Sequence, residues 1–475
     1  MNFDVVVVGA GPNGLMAACE LALAGVRPLV VERDLTPRTE QRANGMVGQI
    51  VRLLHRRGLL ERLTGDPNPP RPAPGFMFAA FPMPFGRLGT DNPVYTVLVP
   101  QHRVEEVLAE RAVELGVQIR RGVTVTGLDQ DASGVTLACA DGARITAGWV
   151  IGADGGRSAV RKLAGIGFPG VTHDRTVSRN AHVALDDAFR TADGMRVPGY
   201  GVIPAFLHTR LERGMVSFAP FPDGRVMVNV SEHADVDEDV PMSFAELADA
   251  FTRVVGAPAP FTELRPAGMM RRLTGGNTRL ADRYRDGRVF LVGDAAHVHS
   301  AIGGNGLNLG LQDAVNLSWK LAGAVHGWAP DGLLDTYEAE RRPAGERVTM
   351  QTTAQGVLVG PGPEITALRS LVGALLEDES ALRRIAGLIS GADVVYPGTS
   401  RWSPEGVRSD ARPVLIDASA DGRFARVAAP WADRVPVVAA GGGGVSMLAR
   451  PDGYVAWEGT EGELVPALTR WFGPA

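Results

Sequence analysis

The chain has 475 residues, 45% of them apolar and 21% charged, with a formal net charge of -5. That balance predicts an ordinary globular enzyme of two or three domains and excludes an electrostatic nucleic-acid binder. Lys162 and Lys320 are the only lysines beside many arginines, which reads as GC-rich codon usage and not as a phosphate-binding patch. Cys19 and Cys139 match no metal or redox spacing and are expected as buried thiols.

The first apolar run, Phe3–Val8, is predicted to be a buried parallel strand. It lacks the basic start and cleavage site of a signal peptide and falls far short of the ~20 residues that span a bilayer. The expectation is therefore the cytoplasm, with no membrane partner. A helix is predicted over residues 15–24, stopping at Gly25, and a second strand over Pro28–Glu32, which completes a βαβ unit. A helical stretch over 50–63 and a Pro-rich loop over 66–74 follow. Residues 76–99 are aromatic and turn-rich and predict strands of a different sheet. Residues 103–115 predict a helix, and two or three strands run on to Ile151. Over 182–230, short strands alternating with Gly/Pro turns predict an antiparallel sheet. Residues 288–292 return to the buried parallel type, and helices are predicted over 307–325 and 368–388. The last eighty or so residues carry strand-like runs at 413–416 and 436–438, broken by the glycines at 441–444 and by Pro451-Asp452-Gly453, and predict a small third domain.

Three motifs carry chemistry. Gly9-Ala10-Gly11-Pro12-Asn13-Gly14 lies between strand and helix, where glycines allow a tight turn and the approach of a pyrophosphate to a helix N-terminus. Glu32 ends the next strand, 18 residues after Gly14, where a carboxylate can accept hydrogen bonds from both ribose hydroxyls of an adenosine. The second motif is Gly152-Ala153-Asp154-Gly155-Gly156-Arg157-Ser158. The third runs from Gly293-Asp294 through His297 to Gly303-Gly304-Asn305-Gly306-Leu307-Asn308 and opens a long helix, whose positive end suits the anionic pyrimidine side of a reduced flavin. Taken alone, the second and third are equally well structural Asp-Gly turns. His297 and His299 have no carboxylate or cysteine in sequence to complete a metal site and are expected to be structural or to line a pocket, so no metal is predicted. Lys320 is expected to be a helix-packing or surface residue.

Together with Arg42-Ala43, Gln101, Arg161 and the string from Trp319-Lys320-Leu321-Ala322 to Thr336-Tyr337-Glu338-Ala339-Glu340-Arg341-Arg342-Pro343, these motifs resemble the class A flavoprotein monooxygenases of the para-hydroxybenzoate hydroxylase-like fold. The likeness is to the branch acting on phenols and aromatic polyketides, and it spans about residues 1–350. The segment Arg450-Pro451-Asp452-Gly453-Tyr454-Val455-Ala456-Trp457 resembles the C-terminal thioredoxin-like domain of that branch. The resemblance implies an α/β fold: a Rossmann-like FAD-binding domain (1–75, 96–178 and 275–355), an antiparallel-sheet substrate domain (76–95 and 179–274), a helical linker (356–395) and a thioredoxin-like domain (396–475). It implies that Gly9, Gly11, Gly14 and Glu32 hold the ADP half of FAD, with Arg33 and Val125 also among the cofactor-binding residues. Arg42 and Gln101 would contact the pyrophosphate and ribityl region, Asp294 the ribityl chain, and Gly304, Asn305, Gly306, Leu307 and Asn308 the isoalloxazine. Asp154 belongs to a motif associated with both FAD and NAD(P)H. The implied reaction consumes NAD(P)H and O2 and hydroxylates an aromatic, polyketide- or antibiotic-type substrate through a C4a-hydroperoxyflavin, in a monomer or homodimer. With the flavin supplying the chemistry, no acid/base triad is expected, and Ala301, Ile302 and Gly303 are expected at the flavin edge. The chain departs from the family at Ser300-Ala301-Ile302, where proline is usual, and at Asn305, where Gln is usual. The alternative is a Baeyer–Villiger-type or non-hydroxylating tailoring flavoprotein on the same fold. A flavin halogenase is disfavoured by the absence of a Trp-x-Trp-x-Ile-Pro motif.

Overall fold

The computed structural model describes residues 3–37, 43–221, 224–237, 239–266, 268–300, 302–441, 444–459 and 463–475. The first sheet is built on Phe3–Val8, whose Val5, Val6 and Val7 are fully buried. This strand pairs in parallel with Pro28–Glu32 on one side and Arg144–Gly152 on the other. Gln118–Arg121 and Val289–Leu291 extend the sheet, also in parallel. The antiparallel strands Val125–Gln130 and Val135–Cys139 attach to Arg144–Gly152. Continuous valine and isoleucine runs form such strands because both sheet faces are covered. The helices Pro12–Leu23 and Asn305–His326 pack against each other on the sheet. Gly14 permits the helix to start where it does: a Cβ there would lie 2.0 Å from the Gly9 carbonyl oxygen.

A second, seven-stranded sheet runs in the order His208–Leu211, Gly214–Pro220, Val226–His233, Gly170–Leu185, Met270–Leu280, His297–Val298, with Phe261–Glu263 beside Gly170–Leu185. Its ladders are antiparallel. One face carries Ala181, Val183, Val216, Phe218, Val226, Val228 and Val230 and packs on Leu247, Ala250, Phe251 and Val254 of the helix Phe244–Val255. Because side chains alternate along a strand, the other face is free to line a cavity. The expected α/β class, with a Rossmann-type domain and a sheet domain, is what the chain adopts.

Several elements differ from expectation. The first helix begins at Pro12, where proline is well accommodated because its missing N–H would have no helical partner. The predicted 50–63 helix is two, Gln49–Arg56 and Leu60–Thr64, separated by Gly58 with φ 71°. Four strands, not two or three, lie between 118 and 152. The predicted 368–388 helix is also two, Pro363–Leu375 and Glu379–Ser390, the second capped by Asp378. Residues 76–95, grouped by sequence with the substrate sheet, do not join it. Phe76–Phe78 and Phe81–Met83 form their own hairpin, and Thr96–Val97 pairs with Met46–Val47. Pro82 and Pro84 lack the N–H that a ladder needs, so the segment packs instead on Leu382, Ala386 and Ile389. The helix Asp335–Val359 runs unbroken through residue 355, where sequence placed a domain limit.

The C-terminal segment forms a four-stranded sheet in the order Val437–Ala439, Val414–Asp417, Ser446–Ala449, Val455–Gly459, with the helices Arg423–Ala428 and Leu464–Phe472. It docks on the long helix Asn305–His326 through Trp319 against Trp471 and Phe472, and through buried charge. Arg450 is fully buried and donates to both Glu340 carboxylate oxygens at 2.7 and 2.8 Å, and to Asp452. Glu340 also accepts from Lys320 Nζ and Asn316 Nδ2, both at 2.7 Å. Lys320 is therefore a core residue with no exposure rather than a surface one. Burial pushes its ammonium down to about 8, with Glu340 opposing the shift. Cys19 and Cys139 are buried free thiols.

Candidate functional site

A single cavity of about 2630 Å³ runs between the two sheets. Pockets for one small molecule hold roughly 300–1,000 Å³, so this one accommodates two. At one end lie Gly9, Gly11, Asn13, Glu32 and Arg33; Gln101, Val125, Asp154 and Asp294 line its course; Gly303, Gly304, Gly306 and Leu307 border the far part, with Ile302 beside them.

The first end is shaped by glycine. Gly9 has φ 111°, and a Cβ there would meet the Ala153 carbonyl oxygen at 2.4 Å. A Cβ on Gly11 would meet nothing within 4 Å, so the backbone at this helix start faces open space. Glu32 accepts from the Ala10 N–H at 2.8 Å and from the Asp34 N–H at 3.0 Å. Those bonds fix the carboxylate and leave lone pairs for a ligand. Asn13 Oδ1 is buried without a partner among the described residues.

The far part is the start of Asn305–His326. Among the described residues, neither this helix nor Pro12–Leu23 has a side-chain cap or an acid in its first turn. Both therefore present unsatisfied N–H groups and partial positive charge to the cavity. From Val289 to His297 every residue is buried except Asp294, so its carboxylate projects into the cavity from an otherwise closed strand and turn.

Behind that turn is an ion cluster that sequence reasoning missed. Asp313, with no exposure, accepts from the Gly293 N–H at 3.2 Å, pairs with His297 Nε2 at 2.6 Å and accepts from Arg341 Nε at 2.7 Å. Burial favours the neutral acid, yet Arg341 and His297 hold Asp313 below the usual carboxylate range. The available signal was an aspartate in the middle of an apolar helix, which demands a buried cation. His299 lines the cavity with Nδ1 2.9 Å from the Ser300 carbonyl oxygen. Burial pushes its imidazole down to about 4, so the ring is neutral near pH 7. Both histidines thus take the structural and pocket-lining places expected of them. Arg161 ties the second motif to the third, donating to the Ala295 carbonyl at 2.9 Å and the Gly156 carbonyl at 3.0 Å.

Other sequence-assigned residues either border the cavity while bonded within the protein or lie off its wall. Asp154 borders the cavity, but its carboxylate accepts from Ser158 Oγ and from the Ala159 and Val160 N–H groups, which turns it into the clamp of the following short helix. Gly14, Asn305 and Asn308 are not among the lining residues. Asn308 instead accepts from the Val47 N–H at 2.9 Å and donates to the Gly304 carbonyl at 2.8 Å, bracing the loop from behind. Gln101 donates to Glu105 at 2.8 Å. Arg42 and Ala301 lie outside the described residues. Of the aromatic and methionine cluster at 76–85, Phe76 and Met77 line the cavity, while Phe78, Met83 and Phe85 are core. More of the wall comes from the second sheet, as the sequence suggested, and from Thr352, Thr353 and Gly356 of the helix Asp335–Val359, which it did not.

The family model for an FAD binding domain matches residues 2–352, and the model for the aromatic-ring hydroxylase C-terminal region matches residues 399–475. The chain belongs to the class A flavin-dependent aromatic hydroxylases. It is 40% identical to the 12-dehydrotetracycline 5-monooxygenase/anhydrotetracycline 6-monooxygenase of Streptomyces rimosus subsp. rimosus, over 100% of this chain and 99% of that protein. It is 36% identical to the dialkyldecalin synthase of Streptomyces rugosporus, over 100% of both chains. The crystal structure of an aromatic hydroxylase from angucycline biosynthesis superposes with a TM-score of 0.86 at 34% identity, over 100% of both chains. The hydroxylase is an FAD-dependent aromatic monooxygenase that takes an aromatic small molecule and O2 as co-substrates, with NAD(P)H as the electron donor of its class. Among its described residues, no helix is long and apolar enough to cross a membrane.

Proposed function

We propose that the hydroxylase binds FAD along the cavity from Glu32 to the Asn305–His326 helix start, and an oxygenated polycyclic aromatic substrate of polyketide or antibiotic type between that helix and the second sheet. The continuity of one cavity, from the glycine turn past Asp294 to the sheet face, carries this reading. The pieces suit the cofactor. The open space at Gly11 and its uncapped helix suit a pyrophosphate, Glu32 suits a ribose, Asp294 suits a polyol chain, and the Gly304 helix start suits an anionic ring edge. When bound, FAD supplies electron transfer from NAD(P)H and the activation of O2. The chain's own part is to hold the substrate edge at the loop 302–304, to exclude water with the helix Asp335–Val359, and to keep the pocket histidine His299 neutral. The C-terminal sheet order, one parallel pair followed by two antiparallel pairs with a helix after the first and last strands, supports a thioredoxin-like reading without redox cysteines. The domain limits 1–75/96–178/275–355, 76–95/179–274, 356–395 and 396–475 remain a working division in which the segment 76–95 is better assigned with the 356–395 helices. The cytoplasm is the proposed compartment.

Gly11→Leu tests the cofactor placement. The new side chain enters open space, so the melting temperature should hold, while FAD affinity should fall by more than ~10-fold, about 1.4 kcal/mol. Unchanged FAD titration would move the pyrophosphate elsewhere. Glu32→Ala should weaken FAD by ~10–100-fold, the worth of a charge-assisted hydrogen bond of roughly 1.5–3 kcal/mol. Equilibrium dialysis of flavin against each variant reads both. NAD(P)H consumption and a product heavier by one oxygen distinguish hydroxylation from a non-redox tailoring role.

A further inference from the structure

The cavity face of the second sheet carries an ordered polar row. His208 is paired in register with Ser217, Ser217 with Asn229, Asn229 with Asn180, and Asn180 with Arg271. All five line the cavity. Neighbouring strands are about 4.8 Å apart, so the row spans about 19 Å. On either side of it the face turns softer: Met215 stands two residues from Ser217, and Met227 two from Asn229, with Met269 beyond. Polarizable methionines suit aromatic ring faces.

The row is polarised along its length. Asn229 Nδ2 donates to Asn180 Oδ1 at 2.7 Å, and Asn229 Oδ1 accepts from Ser231 Oγ at 3.1 Å, which in turn shares a 2.7 Å hydrogen bond with Ser178. With its oxygen engaged, Asn180 has its amide N–H groups to offer. Beside it, Arg271 is exposed and lines the cavity, and its side chain makes no hydrogen bond or ion pair among the described residues. A guanidinium that faces the cavity and is paired with no protein carboxylate is open to an acceptor on the ligand. At the other end His208 Nδ1 is buried without a partner, and burial lowers the imidazole's affinity for a proton. One end therefore donates to negative charge and the other exchanges a neutral hydrogen bond.

We propose that the row His208–Ser217–Asn229–Asn180–Arg271 reads the oxygenated edge of a flat, fused-ring substrate, with Arg271 holding an ionised phenolic or enolic oxygen and thereby fixing which way round the ring system enters. This rests on the sheet face being the substrate wall. An electron-rich, ionised ring end would be held at a set distance from the flavin loop, so the row decides regiochemistry without touching the reacting carbon.

The test uses FAD-loaded protein and three probes: 1,8-dihydroxyanthraquinone, 1,8-dimethoxyanthraquinone and anthraquinone, titrated by perturbation of the bound flavin's absorbance. The dihydroxy probe should bind the unmodified protein ~10–100-fold more tightly than anthraquinone. Arg271→Met should remove most of that advantage, and Asn229→Leu part of it, while Arg271→Lys restores some. Methylation of the probe and loss of Arg271 should not add, because both delete the same contact. FAD content and NAD(P)H-driven bleaching are read on the same samples, so a failure of the hydroxylase assignment shows there and not in the probe series. Equal affinity for all three probes, or full retention of the dihydroxy preference in Arg271→Met and Asn229→Leu, overturns the proposal.

Discussion

Arg450→Met will destabilise the fold by about 3–5 kcal/mol, the usual result of removing one partner from a buried ion pair. Natural domains are stable by only ~5–15 kcal/mol, so most of the variant will be insoluble or will melt many degrees early. Arg450 has no exposure and faces Glu340 and Asp452, which are buried with it. Without the guanidinium, Lys320 alone must neutralise Glu340 and Asp452. Because every flavin motif precedes Pro343, the sequence by itself predicts that removing residues from about 403 onward reduces solubility or assembly more than flavin chemistry. The structure shifts that expectation. Glu340, Lys320 and Asn316 belong to the flavin-side helices, Asp335–Val359 and Asn305–His326, and Arg57, buried against Glu20, also donates to the Pro451 carbonyl. Truncation should therefore unfold the flavin domain as well, and a truncated chain that binds FAD normally would refute this. The pH dependence follows. Burial pushes Glu340 up, but Arg450 and Lys320 outweigh it and hold the acid at about 2, below the ~4.3 of an unfolded glutamate. Its folded pKa is depressed, so its stabilisation is full above pH ~4.3 and is lost as pH falls toward the folded value. Thermal melts from pH 6 to 3 should show that loss, and Arg450→Met should move the acid limb to higher pH.

Asp313→Leu will abolish retention of FAD through gel filtration, although Asp313 is not among the cavity-lining residues. Its carboxylate is the common acceptor for the Gly293 N–H, His297 and Arg341. Replacing it leaves Arg341 a buried cation with only the Tyr396 hydroxyl, the Leu309 carbonyl and a long contact to Gln312. The cost is again about 3–5 kcal/mol, delivered at the turn that aims Asp294 into the cavity. Asp313→Asn keeps the shape and loses the charge, so it should fold and bind FAD weakly. Comparing flavin content and melting temperature across the pair separates turn geometry from global stability. Normal FAD content in Asp313→Leu would show that the Gly293-Asp294 turn holds itself.

Legibility followed the physical range of each signal. Phe3–Val8, the glycine turn and Glu32 were readable because a buried parallel strand must be continuously apolar and a tight turn must contain glycine; both conditions are local. The Asp294 turn was readable for the same reason. Asp154 was placed in the right loop, but its hydrogen bonds to Ser158, Ala159 and Val160 depend on backbone geometry that sequence does not display. Residues 76–99 have strand composition, yet the prolines and the neighbouring helices decide what they pair with. Asn308 looks ligand-facing and Lys320 a helix-packing or surface residue; they become a brace and a core cation paired with Glu340 only once chain segments far apart in sequence are brought together.

The second sheet keeps its two duties on opposite sides. Its valine face and the helix Phe244–Val255 form a hydrophobic cluster separate from that of the flavin domain, while the cavity side carries polar and thioether groups. Exchanges at Met215, Ser217, Met227 or Asn229 therefore leave that packed layer intact and should shift stability by less than the ~1 kcal/mol typical of point changes. Such a scaffold lets ligand preference drift by single steps, each tolerated before it is useful. Descent from one ancestor to many oxygenation patterns needs no passage through an unfolded intermediate sequence, and a mutant library confined to those four positions would explore new substrates at almost undiminished yield.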